Sequence, residues 1–217
     1  MIYPLKKRRF LPLFALIIFI ILSGMLRFNS SFLTLFDAAG SIAIQALANS
    51  KLGFLFGPAY LLKNFWMAWL LTIVWAAFLR TLGFKVGFWW SLACSSILII
   101  MCWAWSLLTF FYWDDGPVLL QMMPALSNTI WAFLLFQIQQ VLVVRLPLAY
   151  WVKSTLSGLM IFFWLILAAA SIVDYDVSVT TLIGSALFGY WFFRTAAGMY
   201  IRLSKHWQQF FGVDGKI

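Results

Sequence analysis

The sequence predicts an all-α, polytopic membrane protein: a bundle of six transmembrane helices with both termini cytoplasmic, plus an amphipathic outer helix after the first span. Three observations predict it. Apolar residues make up 65% of the chain and charged residues only 10%, whereas a soluble domain sits near about half apolar and about a quarter charged. Six apolar runs, each close to the roughly 20 residues that a span requires, follow one another with short turns between them, so residues 1–217 read as a single integral membrane domain. The basic residues, finally, fall on alternate sides of those runs.

The first run, about 10–26, follows the basic cluster Lys6 to Arg9. It is longer than a usual signal-peptide core and Ser23-Gly24-Met25 is a poor small-x-small cleavage site, so an uncleaved span is expected. Residues 31–50 differ. Phe32, Leu35, Phe36, Ala39, Ile42, Ala43 and Ala46 recur at three- and four-residue steps among polar residues, the pattern of an amphipathic helix at an interface. Gly53, Gly57 and Pro58 break the chain before the second span, about 65–82. The Gly83-Phe84-Lys85 turn leads to the third, about 86–111. Asp114-Asp115-Gly116-Pro117 is a turn signal before the fourth, about 126–144, which Arg145 and Pro147 end. The fifth covers about 155–173, the acidic hinge Asp174-Tyr175-Asp176 follows, and the sixth covers about 177–203.

With the N-terminus inside, cytoplasmic segments carry Lys6, Lys7, Arg8, Arg9, Arg80, Lys85, Arg145, Lys153, Arg194, Arg202, Lys205 and Lys216, and outer segments carry Arg27, Lys51 and Lys63. Twelve against three is a strong positive-inside bias. The net charge of +9 therefore belongs to membrane orientation and not to nucleic acid, because the basic residues form no single face. Cys94 and Cys102 lie eight residues apart in one apolar run and read as buried free thiols. No glutamate occurs and the one histidine is His206, so neither a metal site nor a cofactor is expected, and His-dependent acid–base chemistry is excluded from the spans. His206, beside Lys205 and Trp207, reads as an interfacial cluster near anionic lipid.

Two groups of residues could carry chemistry. Asp114-Asp115 and Asp174/Asp176 sit at the outer ends of spans three and five; together they could hold a cation or an amine headgroup, or serve as solvated turn residues. The fourth span carries Ser127, Asn128, Thr129, Gln137, Gln139 and Gln140. Polar groups in hydrocarbon must be paired, so these should face other helices, as interhelical hydrogen bonds or as a substrate path. Small residues in the sixth span, Gly184-Ser185-Ala186, Gly189 and Ala196-Ala197-Gly198, favour close helix packing within the bundle or at a dimer seam.

With the spans placed, the chain resembles the bacterial type 2 phosphatidic-acid phosphatases, a six-helix membrane family. The segment Ser31 to Leu62 is similar to the family's stretch after the first span, and the basic turn between spans two and three is in the expected place. MPALSNTIWAFLLF, Met123 to Phe136, resembles the surroundings of the family's PSGH motif. SIVDYDVSVTTLIGSALFGYWF, Ser171 to Phe192, resembles the segment following its SRxxxxxHxxxD motif, including the glycine pattern of the last span. The resemblance implies a bacterial cytoplasmic-membrane location and membrane lipids as partners. It would also imply two histidines acting on phosphorus and the leaving group, with basic residues holding the phosphoryl oxygens. Those groups are substituted. At the PSGH position Pro124 matches, but Ala125, Leu126 and Ser127 follow; in the third motif Ala170 stands for arginine, Asp176 for histidine and Thr180 for aspartate. No lysine or arginine occurs between Lys85 and Arg145, where the first motif belongs. The expectation is a relative without catalytic residues, a membrane subunit binding lipid or another membrane protein. A small transporter or lipid flippase is one alternative. Another is an active phosphatase of phosphatidic acid or undecaprenyl pyrophosphate using other groups, and a third an unrelated enzyme built on Asp174 or Asp176.

Overall fold

The computed structural model describes residues 10–28, 30–109, 123–174 and 176–210, with side chains described except at 51–52 and 204–210. Within these bounds the protein is all-helical. α1 spans Phe10–Arg27 and α2 Ser31–Ala48. A 3-10 turn, Lys51–Leu55, leads into α3, Phe56–Leu62. α4 (Phe65–Thr81), α5 (Lys85–Thr109) and α6 (Leu126–Ile138) follow, α6 running on into a π-helical turn, Gln139–Val143. α7 covers Tyr150–Val173 and α8 Val179–Phe210. The Asp114-Asp115 loop, the end of the expected third span and the basic cluster 6–9 lie outside the described residues.

Local chemistry explains most boundaries. α4 ends in a Schellman turn: Gly83 sits at φ +84, the Gly83 amide donates to the Arg80 carbonyl and the Phe84 amide to that of Leu79, a geometry glycine adopts without strain. α7 begins at Tyr150, five residues before the expected 155, because the helix can restart as soon as Pro147 is cleared. Its first basic residue then reaches back, Lys153 Nζ donating to the Val144 carbonyl at 3.1 Å.

α8 is the central element. It packs against α1 and α6 along most of its length, and Phe19, Trp90, Phe133, Phe188 and Phe193 form the aromatic heart of the bundle. At Gly189 an added Cβ would lie 3.1 Å from Ala132 Cβ and 3.3 Å from the Thr129 carbonyl oxygen, so the α6 and α8 backbones meet there. Gly198 has open space around it. Outward faces are apolar instead of polar. Leu13, Phe14 and Ile17 on α1, Ile97, Ile100 and Leu107 on α5, and Leu159, Ile161 and Leu165 on α7 are all exposed, as a hydrocarbon-facing surface requires.

Five helices are long and apolar enough to cross a membrane: α1, α2, α5, α6 with its π-turn, and α7. The bent pair α3–α4 makes a sixth if counted as one span. This makes the chain a multi-pass membrane protein. Two details differ from the sequence expectation. α8 falls short of that apolar measure because Arg194 and Arg202 lie in it, together with the buried Thr180, Thr181 and Ser185. α2 meets the measure, although its period is amphipathic.

The ends of the elements show how α2 runs. Ser23, near the end of α1, bonds Met123 just before α6, and the Lys63 carbonyl, just before α4, accepts from Ser127 at the start of α6. α1 therefore ends, and α4 begins, at one end of the bundle, which also holds the α7–α8 hinge. The piece Gly53–Leu62, which ends in α3, meets α4 at a bend of 72°, so this short stretch, about 15 Å of helix, runs across that end. Gly40 abuts Val179 and Ile44 packs beside Ala168, Ile172 and Leu182. The segment from α2 to α3 thus starts and finishes at the hinge end, as a lid over it.

Candidate functional site

The hinge end contains a cavity of about 300 Å³. It is built from the loop after α3, the first turn of α6 and the last turn of α7. Lys63 enters from the first of these. Its ammonium group pairs with both Asp174 and Asp176, the two carboxylates of the hinge. The lysine side chain is 9% exposed and the aspartates are 44% and 56% exposed, so the pairs stand at the boundary between protein and solvent. Burial alone would depress the Lys63 pKa; hydrogen bonds and charge from Asp174 and Asp176 outweigh it and hold it above the ordinary lysine value.

The floor of the cavity is polar but sparsely bonded. Ser127 Oγ donates to the Lys63 carbonyl, and Trp131 Nε1 donates to the Leu62 carbonyl at 2.8 Å, which together tie the Lys63 loop to α6. Asn128 is 2% exposed. Its Nδ2 donates to Ser171 Oγ at 3.2 Å, while Ser171 Oγ donates to the Leu167 carbonyl at 3.1 Å. In this arrangement the serine hydroxyl donates to its own helix and accepts from Asn128, whose Nδ2 is turned toward α7. Asn128 Oδ1 is left buried with no hydrogen-bond partner, on a residue that lines the cavity.

One turn further along α6 an apolar furrow of about 400 Å³ begins. It is lined on α6 by Ala132, Leu135, Phe136 and Gln139, on α7 from Ser157 to Leu165, and on α8 by Ala186. Asn128 and Ala132 are one helical turn apart, and Trp164, which lines the furrow, donates its Nε1 to the Asn128 carbonyl at 3.1 Å. Cavity and furrow therefore share a wall, and the furrow extends from it toward the opposite end of the bundle.

Of the residues singled out in the sequence, Ser127, Asn128, Asp174 and Asp176 meet at this one cavity. Pro124 precedes it at the entry to α6. Ala170 faces away, fully buried in the apolar cluster with Ile130 and Trp131. Thr180 lies under the lid, where its backbone amide and hydroxyl both donate to Asp37 Oδ1 at 2.7 Å. Gln137 is fully buried elsewhere, accepting from Trp75 Nε1 at 3.0 Å and Ser91 Oγ at 2.8 Å; it joins α4, α5 and α6 and lines neither cavity nor furrow. Asp114 and Asp115 lie outside the described residues. Two participants carried no recognisable signal: Ser171 reads as one more small residue in an apolar run, and Asp37 as part of the polar face of α2.

Lys63 is the only basic side chain lining the cavity among the described residues, and no group of three or more His, Cys, Asp or Glu side chains that could hold a metal occurs among them. The opposite end of the bundle has the reverse character. Arg80 lies over the Phe88 ring at 5.6 Å and Arg145 over the Phe84 ring at 5.5 Å, with Lys85 and Lys153 at the same end. All three described aspartates, Asp37, Asp174 and Asp176, belong to the hinge end. Compared with known protein families, with curated proteins and with solved structures, the chain matches none.

Proposed function

We propose that this protein binds a membrane lipid and does not hydrolyse it. In this reading α1, α4, α5, α6, α7 and α8 cross the membrane, both termini lie in the cytoplasm, and the lid and cavity face the other side. The positive-inside bias supports that orientation: Arg80, Lys85, Arg145 and Lys153 gather at one end and the aspartates at the other. Exposed tryptophans support it as well, with Trp66 and Trp103 toward the hinge end and Trp89 and Trp151 toward the basic end, as in the aromatic belts at two membrane surfaces.

The observation that carries the reading is a polar cavity adjoining an apolar furrow across the Trp164–Asn128 contact, with the one described lysine of the cavity already committed. A headgroup fits the first and an acyl chain the second. Phosphoryl transfer needs cationic groups free to hold the oxygens as charge redistributes. At this site Lys63 is neutralised by two carboxylates, and Ser127, Ala170, Asp176 and Thr180 occupy the positions that matter in the phosphatases the chain resembles. The layout of those enzymes is kept on this reading, and their chemistry is not.

The test is to purify the protein in mild detergent, identify retained lipid by native mass spectrometry, and measure phosphate release from phosphatidic acid and undecaprenyl pyrophosphate. Retained lipid with release at the no-protein rate is expected. Turnover well above that control and lost on substituting Ser127 or Asp176 would overturn the proposal, as would the absence of any retained lipid.

A further inference from the structure

We infer that the lipid's headgroup carries a primary amine. This rests on the lipid-binding reading and specifies its ligand class. Two independent observations point to it. The first is charge. Lys63 brings one positive charge to the cavity rim and Asp174 with Asp176 bring two negative ones, so among the described residues the cluster carries one negative charge in excess. An ammonium beside the carboxylates offsets the imbalance, whereas a headgroup whose only charge is its phosphodiester would add to it. The second is hydrogen bonding. Asn128 Oδ1 is a buried acceptor with no partner, held in place by the Ser171 bond behind it. A buried acceptor left without a donor is costly, so the site favours a ligand that supplies an N–H or O–H donor there.

Each common headgroup meets these two demands differently. A quaternary ammonium satisfies the charge but has no N–H to give. A glycerol or inositol head has hydroxyl donors but no positive charge. A primary ammonium supplies both, with one N–H to Asn128 Oδ1 and its charge beside Asp176, which also lines the cavity. The available volume, about 300 Å³, is that of about ten waters and admits an ethanolamine-sized head with space for solvent.

The experiment places the full chain in nanodiscs holding equal parts of phosphatidylethanolamine, phosphatidylcholine and phosphatidylglycerol with identical acyl chains, then counts retained lipids by native mass spectrometry. Enrichment of phosphatidylethanolamine by about tenfold over both others is expected, the worth of one hydrogen bond to a charged group. Free ethanolamine added in excess should leave that lipid in place, because it has no chain for the furrow; ready displacement would make the ligand a soluble amine and overturn the inference. Equal retention of the three lipids would overturn the amine while leaving lipid binding intact. No retention would remove both. Ser171→Ala, which frees the Asn128 amide to rotate, should abolish the enrichment. Should that buried variant fail to fold, Asp176→Asn at an exposed position supplies the same reading, and undiminished selectivity in it would sink the proposal.

Discussion

Lys63 is the residue on which the hinge end depends. It closes two ion pairs to side chains 111 and 113 positions away, and its own carbonyl anchors Ser127. Removing it leaves Asp174 and Asp176 beside each other with no counter-charge among the described residues. Exposed ion pairs are worth about 0–1 kcal/mol and breaking buried ones costs about 3–5 kcal/mol. This pair has a buried lysine and half-exposed carboxylates, so Lys63→Met should cost about 1–3 kcal/mol, read as a lowered thermal midpoint. Asp174→Asn with Asp176→Asn in the same chain should return part of the loss. The pH dependence follows from the direction of the lysine shift. A pKa raised in the folded state means that the stabilisation is fully present below the unfolded value of 10.5 and disappears as pH climbs through the folded one. The stability difference between wild type and Lys63→Met should therefore hold steady from neutral pH to about 10 and shrink above 10.5. A difference that shrank instead between neutral pH and pH 9 would show that the lysine charge is not what holds the cluster.

Among the elements, the α2 lid is held by a polar latch. Asp37 Oδ1 receives both the Thr180 amide and its hydroxyl, in the first turn of α8, where an amide has no partner within its own helix and a carboxylate is favoured by the helix dipole. Asp37→Ala strands that amide under the lid. Hydrogen exchange should then rise across 31–48 and at the start of α8, while Asp37→Asn, which keeps a carbonyl acceptor, should change it far less; equal effects from the two would mean that Gly40 and Ile44 hold the lid without the latch. The sequence makes α2 recognisable as a helix and even suggests its interfacial character, because Phe32, Leu35, Phe36 and Ala39 keep a regular period. It does not disclose the latch, since nothing local distinguishes Asp37 from a solvated polar residue. The apolar runs of α1, α5 and α7 were legible for the converse reason: their length and composition alone decide them. The π-turn at Gln139–Val143 was not, because a shift from i−4 to i−5 bonding leaves the hydropathy pattern untouched. At the site, Asp174, Asp176 and Asn128 stood out as polar residues among apolar ones. Their union with Lys63 and Ser171 depends on how α3, α6 and α7 pack, which no local pattern encodes.

For the whole molecule, the decisive property is which elements cross the bilayer, and two physical criteria disagree about α2. Length and hydropathy admit it as a span. Connectivity argues otherwise: α1 ends and α4 starts at the hinge end, and the piece Gly53–Leu62 is too short and too steeply bent, at 72°, to bring the chain back from the far side. Connectivity is the stronger criterion, because a helix that crossed would need a return path of comparable length. Single cysteines test it, introduced into a chain whose Cys94 and Cys102 are changed to alanine, with a membrane-impermeant maleimide added to intact cells. Phe28→Cys before α2 and Asn49→Cys after it, both at exposed positions, should label from the same, extracytoplasmic face. Leu82→Cys and Leu146→Cys, exposed at the basic end, should label only after the membrane is opened. If Asn49→Cys behaved like Leu82→Cys, α2 would be a span. The hinge end would then need a different geometry, since Asp37 and Lys63 could no longer both reach the α7–α8 hinge from one side.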